Sequence, residues 1–564
     1  MHDASAMFRP RAVRGRATRR AILRAGAAVV GGVVAGPTMG RAPALARAQD
    51  AATPVATAPA VPPEVERHAA DWPMAQGDYA AHRASADSPI SAANCDLLEV
   101  AWRFPIEAVS GYGAVTANPI VLGDTVYLQD MESNVFAIDR ATGALRWRRD
   151  YGLPTAGSNG IAVGYGLAFG VVGIGAEVFA LDVETGDEVW RTRLSANPAE
   201  FVFVQPQVHD GVVYVSTSPA AYVPGSRGIF YALSAESGHV LWQWDTTTDN
   251  LWGAARLNSG GGVWYPPSID EAGNLYFGTG NPGPWPEEDP ARTTRPGPNL
   301  YSSSMVSLDP ATGSLRWHLQ ASPHDQLDHD FQLSPILATI EIDGAPRRLA
   351  IGGGKTGTVI AADADTGEEI WRTSVGDHTP AGDGDVLPEA EGTPVVVAPG
   401  FFGGVLTPMA FAHDTVFVPV INLPLVYTET ESSFDLADAT GEMVALSASD
   451  GRVRWSTPVE AFFSGGATVA NDVVFGAGLD GIVRGFAIDD GREVWRFQLG
   501  AGVNAPLAVA GDALLVAAGA FLIGPGEDAP EPRPELVAFR LAPDGVSGSG
   551  TPPAGEGNAT PIPG

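Results

Sequence analysis

An eleven-residue phrase written again and again along the chain limits its fold more than any other feature. Ala137-Ile-Asp139-Arg-Ala-Thr142-Gly143-Ala-Leu-Arg-Trp147 returns at 180–190, 232–242, 307–317, 361–371 and 445–455, and in a contracted form at 487–495. Self-similarity of this kind marks a repeat architecture in which no unit buries its own apolar face. Each copy follows alternating apolar stretches such as Asp124-Thr-Val-Tyr-Leu128 or Gly211-Val-Val-Tyr-Val215, which read as strands. Asp-x-x-Thr-Gly suits a tight turn, because Asp and Thr bond local backbone and Gly accepts positive φ. The terminal Trp then has a large apolar face to lay against a neighbouring unit.

Small sheets of about four strands that cannot bury both faces alone stack radially, so the expected class is all-β, an eight-bladed β-propeller with tryptophan-docking repeats. The 68 Gly and 46 Pro agree, favouring many turns over long helices. The eighth tryptophan is Trp102, in Glu99-Val-Ala-Trp-Arg-Phe104, 45 residues before Trp147 and without the turn motif. Strands within 505–518 and 535–541 need a partner, and the N-terminal strand is expected to complete the last blade and remove the free edge. The intervals Trp242 to Trp317 and Trp371 to Trp455 are long, 75 and 84 residues, and such insertions become loops on one face, where function sits.

Residues 1–48 read as an export signal of the twin-arginine type. Seven arginines from Arg9 to Arg24 precede an apolar run, Ala25 to Ala35, too short to span a bilayer, and small-residue cleavage sites follow. Thr18-Arg19-Arg20-Ala21-Ile22-Leu23-Arg24 is similar to the twin-arginine motif, implying a periplasmic or extracellular destination. Residues 49–69 read as a flexible linker, 70–543 as a single propeller and 544–564 as a disordered tail. Net charge is −31; nine Arg and one Asp fall in the first 48 residues, leaving 25 basic and 64 acidic groups, a balance of −39. A nucleic-acid or anionic-membrane partner does not suit that charge. Cys95 is the single cysteine, so neither an intrachain disulfide nor a CxxCH haem attachment can be written.

The Asp-x-x-Thr-Gly-x-x-x-Trp repeat resembles the tryptophan-docking motif of quinoproteins that bind pyrroloquinoline quinone (PQQ), across about 70–541. The alcohol and methanol dehydrogenase branch is the most similar, on Asp71-Trp72-Pro73, Gly261-Gly262-Val263-Trp264, Gly278-Thr-Gly-Asn281-Pro-Gly-Pro-Trp285 and Ser322-Pro-His324-Asp325-Gln-Leu-Asp328. The resemblance implies oxidation of an alcohol or sugar by hydride transfer to bound PQQ, with a base taking the hydroxyl proton and Ca²⁺ polarising the quinone oxygen. Carried over, Asp328 is the catalytic base and a metal ligand, and Asn281 is a metal ligand whose amide oxygen suits Ca²⁺. Lys355 is the cation beside the quinone oxygens, Trp264 the floor under the cofactor, and Asn422, Gly465 and Gly466 are cofactor contacts. With no haem motif, electrons would pass to a separate acceptor.

Other readings stand beside these. Asn281 in Gly-Asn-Pro suits a turn, Asp328 suits a structural acid, Trp264 suits a core, and His324 and Asp325 suit loop stabilisation. Gly352-Gly-Gly-Lys355-Thr356 is similar to a phosphate loop but has Leu349 where that motif needs Gly, and strand-like residues follow. The family's metal-binding glutamate is missing from Ser218-Pro219-Ala220-Ala221; Gly175-Ala176-Glu177 lies one blade too early. The vicinal cysteines are absent, and Asn159 replaces the arginine behind them. Two functions therefore remain: a PQQ-dependent alcohol dehydrogenase-like enzyme, or a cofactor-free propeller serving as a binding or assembly scaffold outside the cytoplasm.

Overall fold

The computed structural model describes residues 59–542, apart from 109–112, 156, 220–222, 249, 286–292, 381, 383–392, 429–431 and 521–531, together with Ala17–Thr18. The proposed export signal and C-terminal tail lie outside the described residues, save for that dipeptide. No helix among the described residues is long and apolar enough to cross a membrane.

Eight antiparallel four-stranded meanders follow one another along the chain. Sheets 1 to 8 span 120–149, 162–193, 207–245, 268–320, 336–374, 410–459, 468–498 and 508–541, the last completed by Leu98–Pro105. That strand pairs with Glu535–Leu541 in the register Leu98↔Leu541 to Pro105↔Glu535, so the two ends of the folded chain share one sheet. This is the all-β propeller class expected from the repeat.

The turn motif joins the third and fourth strands of a sheet. Asp139 Oδ1 accepts from the amide of Thr142 at 2.9 Å and from its hydroxyl at 2.7 Å, while the Gly143 amide bonds back to the Asp139 carbonyl at 2.8 Å. The tryptophan ending one repeat lies across the turn glycine of the next sheet and donates its indole N–H to a carbonyl there. Trp147 bonds the Val183 carbonyl at 2.9 Å, and a Cβ on Gly186 would meet its ring at 2.6 Å. With φ of +74° as well, Gly186 accepts no side chain. The same docking joins Trp102 to sheet 1, Trp190 to sheet 3, Trp242 to sheet 4, Trp317 to sheet 5, Trp371 to sheet 6 and Trp455 to sheet 7. Trp495 faces sheet 8, which lacks the turn motif, and its buried indole nitrogen has no hydrogen-bond partner among the described residues.

The segment assigned to a linker is partly folded, which corrects the boundary drawn from composition. Pro63–Arg67 forms a short helix, Val65 is buried in the core beside Ile161 and Val163, and Tyr165 donates to the Pro59 carbonyl at 2.8 Å. Prolines here fix the helix start rather than a loose tether. Downstream, Arg83 is completely buried and donates to the carbonyls of Ala75, Ala467 and Leu507 and to the side chains of Gln76, Asn118 and Thr468. One side chain thus ties the N-terminal segment to sheets 1, 7 and 8. Burial lowers its pKa to about 9.

Candidate functional site

Segments adjoining the strands of seven sheets converge on one cavity of about 250 Å³. Only sheet 7 contributes none of its lining residues, which places the cavity at the common centre of the ring. Asn281, Asp328, Lys355 and Trp264, singled out in the sequence, all line it.

Lys355 stands in the turn between the strands Ala345–Gly353 and Thr358–Asp363, with no helix after it, so the phosphate-loop reading fails structurally as well. Its amide donates to the Asp330 carbonyl at 2.9 Å, and a Cβ on Gly354 would lie 2.2 Å from that same oxygen. Such close approach delivers the lysine side chain to two carboxylates: Nζ lies 3.2 Å from Asp328 Oδ1 and 2.6 Å from Asp330 Oδ2. All three groups are buried. Burial alone would lower the lysine pKa, but Asp328 and Asp330 outweigh it and raise it, so the ammonium persists. Burial raises the Asp330 pKa against the pull of Lys355. The other oxygen of Asp330, Oδ1, accepts the Asn281 amide at 2.5 Å.

Asp330 was not singled out in the sequence, although its place two residues after Asp328 was the available signal. It changes the charge of the site. Where the expected glutamate is missing, Ser218 and Pro219 line the cavity, and Asp330 supplies the second carboxylate from another sheet. Glu177 is elsewhere, paired with Arg191 at 3.2 Å and Arg193 at 2.9 Å. Asp328, Asp330 and Asn281 all line the cavity, and their carboxylate and side-chain amide oxygens are donors of the kind that suit a hard cation. Among the described residues no group of three or more His, Cys, Asp or Glu could hold a metal, so a cation here would depend on that amide and on oxygens from a ligand.

Trp264 forms one wall. Phe203 stacks on it at a centroid distance of 5.4 Å and 10° between planes, and Phe201 stacks on Phe203 at 5.5 Å and 7°. The half-buried indole is therefore backed by two further rings and still reaches the cavity. Phe401, Phe402, Leu406 and Trp285 supply an apolar part of the lining. The Phe401 and Phe402 rings are 4.4 Å apart and belong to the long insertion before sheet 6.

Three expected cofactor contacts are not on the wall. Asn422 ends the strand Thr415–Asn422 and accepts the Asp377 amide at 2.8 Å, fastening a loop. Gly465 and Gly466 precede the first strand of sheet 7; the Gly465 amide bonds the Ala477 carbonyl at 2.8 Å, and Gly466 packs beside Pro506 and Pro408. Asn504, missed in the sequence, does line the cavity. Asn159 is fully buried away from it, donating to the Asp130 carbonyl at 2.9 Å.

A ring of tryptophan-docked sheets around a pocket that holds a lysine between two aspartates defines a β-propeller of the quinoprotein type. The family described as glucose/ethanol/alcohol dehydrogenase, beta-propeller domain, matches residues 72–171 and 200–389. The chain belongs to this PQQ dehydrogenase-like propeller family. A second description, outer membrane protein assembly factor BamB, matches 355–541. Among relatives, the quinohemoprotein alcohol dehydrogenase of Comamonas testosteroni is 29% identical over 505 residues, 77% of this chain and 70% of that one. The quinoprotein alcohol dehydrogenase PedH of Pseudomonas putida is 27% identical over 479 residues, 73% and 79% of the two chains. The crystal structure of the Comamonas testosteroni enzyme superposes with a TM-score of 0.72 at 25% identity, covering 84% of this chain and 81% of that one.

Proposed function

We propose that this chain is an exported quinoprotein that oxidises an alcohol, with PQQ on the Trp264 face and Ca²⁺ between Asp328, Asp330 and Asn281. The observation that carries this is the meeting of Asn281, Asp328, Asp330 and Lys355 beside the Trp264 stack. When bound, PQQ supplies the two-electron acceptor that no side chain provides. Asp328 is placed to accept the alcohol proton, and Lys355 donates to it and stabilises negative charge developing at a neighbouring oxygen. Trp264, held flat by Phe203, gives a planar ligand a stacking surface. Phe401, Phe402, Leu406 and Trp285 exclude water and favour an alcohol with an apolar chain over a sugar, whose hydroxyls would find few partners among them. The twin-arginine-like leader supports delivery to the periplasm or beyond, and a separate acceptor would take the electrons.

Titration of the mature protein with PQQ, with and without Ca²⁺, followed by a dye-linked screen of aliphatic and aromatic alcohols against sugars, tests the proposal. Metal-dependent binding with alcohol turnover is expected. No binding at high micromolar PQQ overturns it in favour of the scaffold reading. That second reading has its own support in the BamB match and in the cavity charges. Lys355 is the one cation among the described lining residues and is engaged by two carboxylates, so a tricarboxylate finds no guanidinium there.

A further inference from the structure

Asp328 has a backbone φ of +64°, the left-handed region that non-glycine residues enter rarely and that persists at functional sites when the surroundings enforce it. The enforcing contacts are on either side of it. Asp325 Oδ1 accepts the amide of Leu327 at 2.7 Å and Oδ2 accepts the amide of His329 at 2.9 Å, so one carboxylate spans Asp328 and holds both of its neighbours. Asp325 is completely buried and does not line the cavity.

The loop is tied a second time. Arg295, 2% exposed, donates from Nε and Nη2 to the Pro284 carbonyl at 3.1 and 2.9 Å and from Nη1 to Asn299 Oδ1 at 2.6 Å. With the Gln326 amide turned so that its oxygen faces the guanidinium, that oxygen accepts from Arg295 at 3.2 and 3.3 Å and from His324 Nε2 at 3.2 Å. Pro284 belongs to the segment that begins at Asn281, so Arg295 joins the strand end carrying the amide ligand to the loop carrying the base. The guanidinium also offsets the buried charge of Asp325.

We propose that Asp325, braced through Arg295, is a positioning residue that fixes the backbone of Asp328 so that its carboxylate meets Lys355 in the cavity. The inference rests on the alcohol dehydrogenase reading for its kinetic consequence, but its geometric content does not. Misplacing a reacting group by about 1 Å costs on the order of a hundredfold in rate. Asp325→Asn keeps one acceptor oxygen and presents N–H groups to an amide, so one of the two bonds is lost.

The test compares crystal structures, melting temperatures, PQQ affinity and dye-linked kinetics of wild type, Asp325→Asn, Asp325→Ser and Arg295→Gln. Asp325→Asn is expected to relax φ at residue 328, lengthen the Asp328–Lys355 contact and lower kcat about 10- to 100-fold, with PQQ affinity and KM little changed. Asp325→Ser, whose hydroxyl accepts one amide, should fall between. If Asp325→Asn does not fold, Arg295→Gln, which frees the loop through Gln326, must produce the same displacement and kcat loss. An Asp328 that stays left-handed and 3.2 Å from Lys355 in the variants overturns the proposal, as does unchanged kcat. Wild type that binds no PQQ defeats the enzyme reading alone, and the structures of the variants still decide the positioning role.

Discussion

Lys355 lies 3.2 Å from Asp328 and is shared with Asp330, so the base of the proposed reaction is ion-paired inside a buried site. Removing one member of such a group leaves another uncompensated. Asp328→Asn is expected to reduce alcohol turnover by about 10²- to 10⁴-fold at saturating PQQ and Ca²⁺. Unchanged turnover in a dye-linked assay would exclude Asp328 as the base.

Asp330 has a different task, because its oxygens hold the Asn281 amide and the Lys355 ammonium. Asp330→Asn is expected to weaken Ca²⁺-dependent PQQ binding by about 10- to 100-fold, through lost charge and a displaced Asn281. Calorimetric titration at fixed PQQ and varied Ca²⁺ measures it. Equal Ca²⁺ dependence in wild type and variant would remove Asp330 from the cation site.

Trp264 offers a stacking surface that Phe203 keeps flat. Trp264→Ala is expected to cost about 1.4 kcal/mol of cofactor affinity, or roughly tenfold in Kd. Phe203→Leu should cost less, since it disturbs only the support. A Trp264→Ala protein that binds PQQ as tightly as wild type would place the cofactor elsewhere.

How far the residues disclosed all this depends on the range of the interactions concerned. The ring was legible because its rule is local and repeated: a turn glycine with room for nothing else, and a tryptophan a few residues on that needs a flat partner, as at Gly186 and Trp147. Closure by the Trp102 strand followed from counting the edges left unpaired. Asn281, Asp328, Lys355 and Trp264 stood in phrases that resembled a known family, and the cavity collects all four. Asp330 stood in the same loop, but its value comes from a lysine 25 residues away and an amide 49 residues away, contacts no local pattern encodes. Asn422, which is not among the cavity's lining residues, illustrates the converse: asparagine at a strand end reads the same whether it faces a ligand or fastens a loop such as that at Asp377. The Phe401 and Phe402 pair lies in an insertion with no periodicity to place it.

The docking rule itself makes a stability prediction. Trp371 is 8% exposed and bonds the Ala448 carbonyl at 2.9 Å, whereas Trp495, 3% exposed, has an indole N–H with no acceptor among the described residues. Both rings fill comparable space, so replacing each by Phe removes similar volume, but only Trp371→Phe strands a carbonyl. Its extra cost is expected to be about 1–3 kcal/mol in urea-induced unfolding. Equal losses in the two variants would mean that the indole hydrogen bonds contribute nothing to holding the ring together.

His82 gives the N-terminal segment a pH-dependent fastening. Its Nδ1 lies 2.7 Å from Asp78 Oδ2 and its Nε2 2.8 Å from the Leu337 carbonyl, so both ring nitrogens face acceptors and only the imidazolium satisfies both. Burial lowers the pKa, but the hydrogen bond and charge of Asp78, with the Leu337 carbonyl, raise it above the ordinary histidine value. A base whose pKa rises on folding binds its proton more tightly in the folded state. The stabilisation is therefore complete below the unfolded-state pKa, ordinarily about 6.5, and is lost as pH climbs through the raised folded value. His82→Gln keeps one hydrogen bond and no charge, so the stability gap between wild type and variant is expected to be wider at about pH 5.5 than at about pH 9. Urea melts at the two pH values measure it. A gap that is the same at both, or larger at the alkaline end, would show that His82 is neutral in the folded protein and that Asp78 serves it only as a hydrogen-bond acceptor.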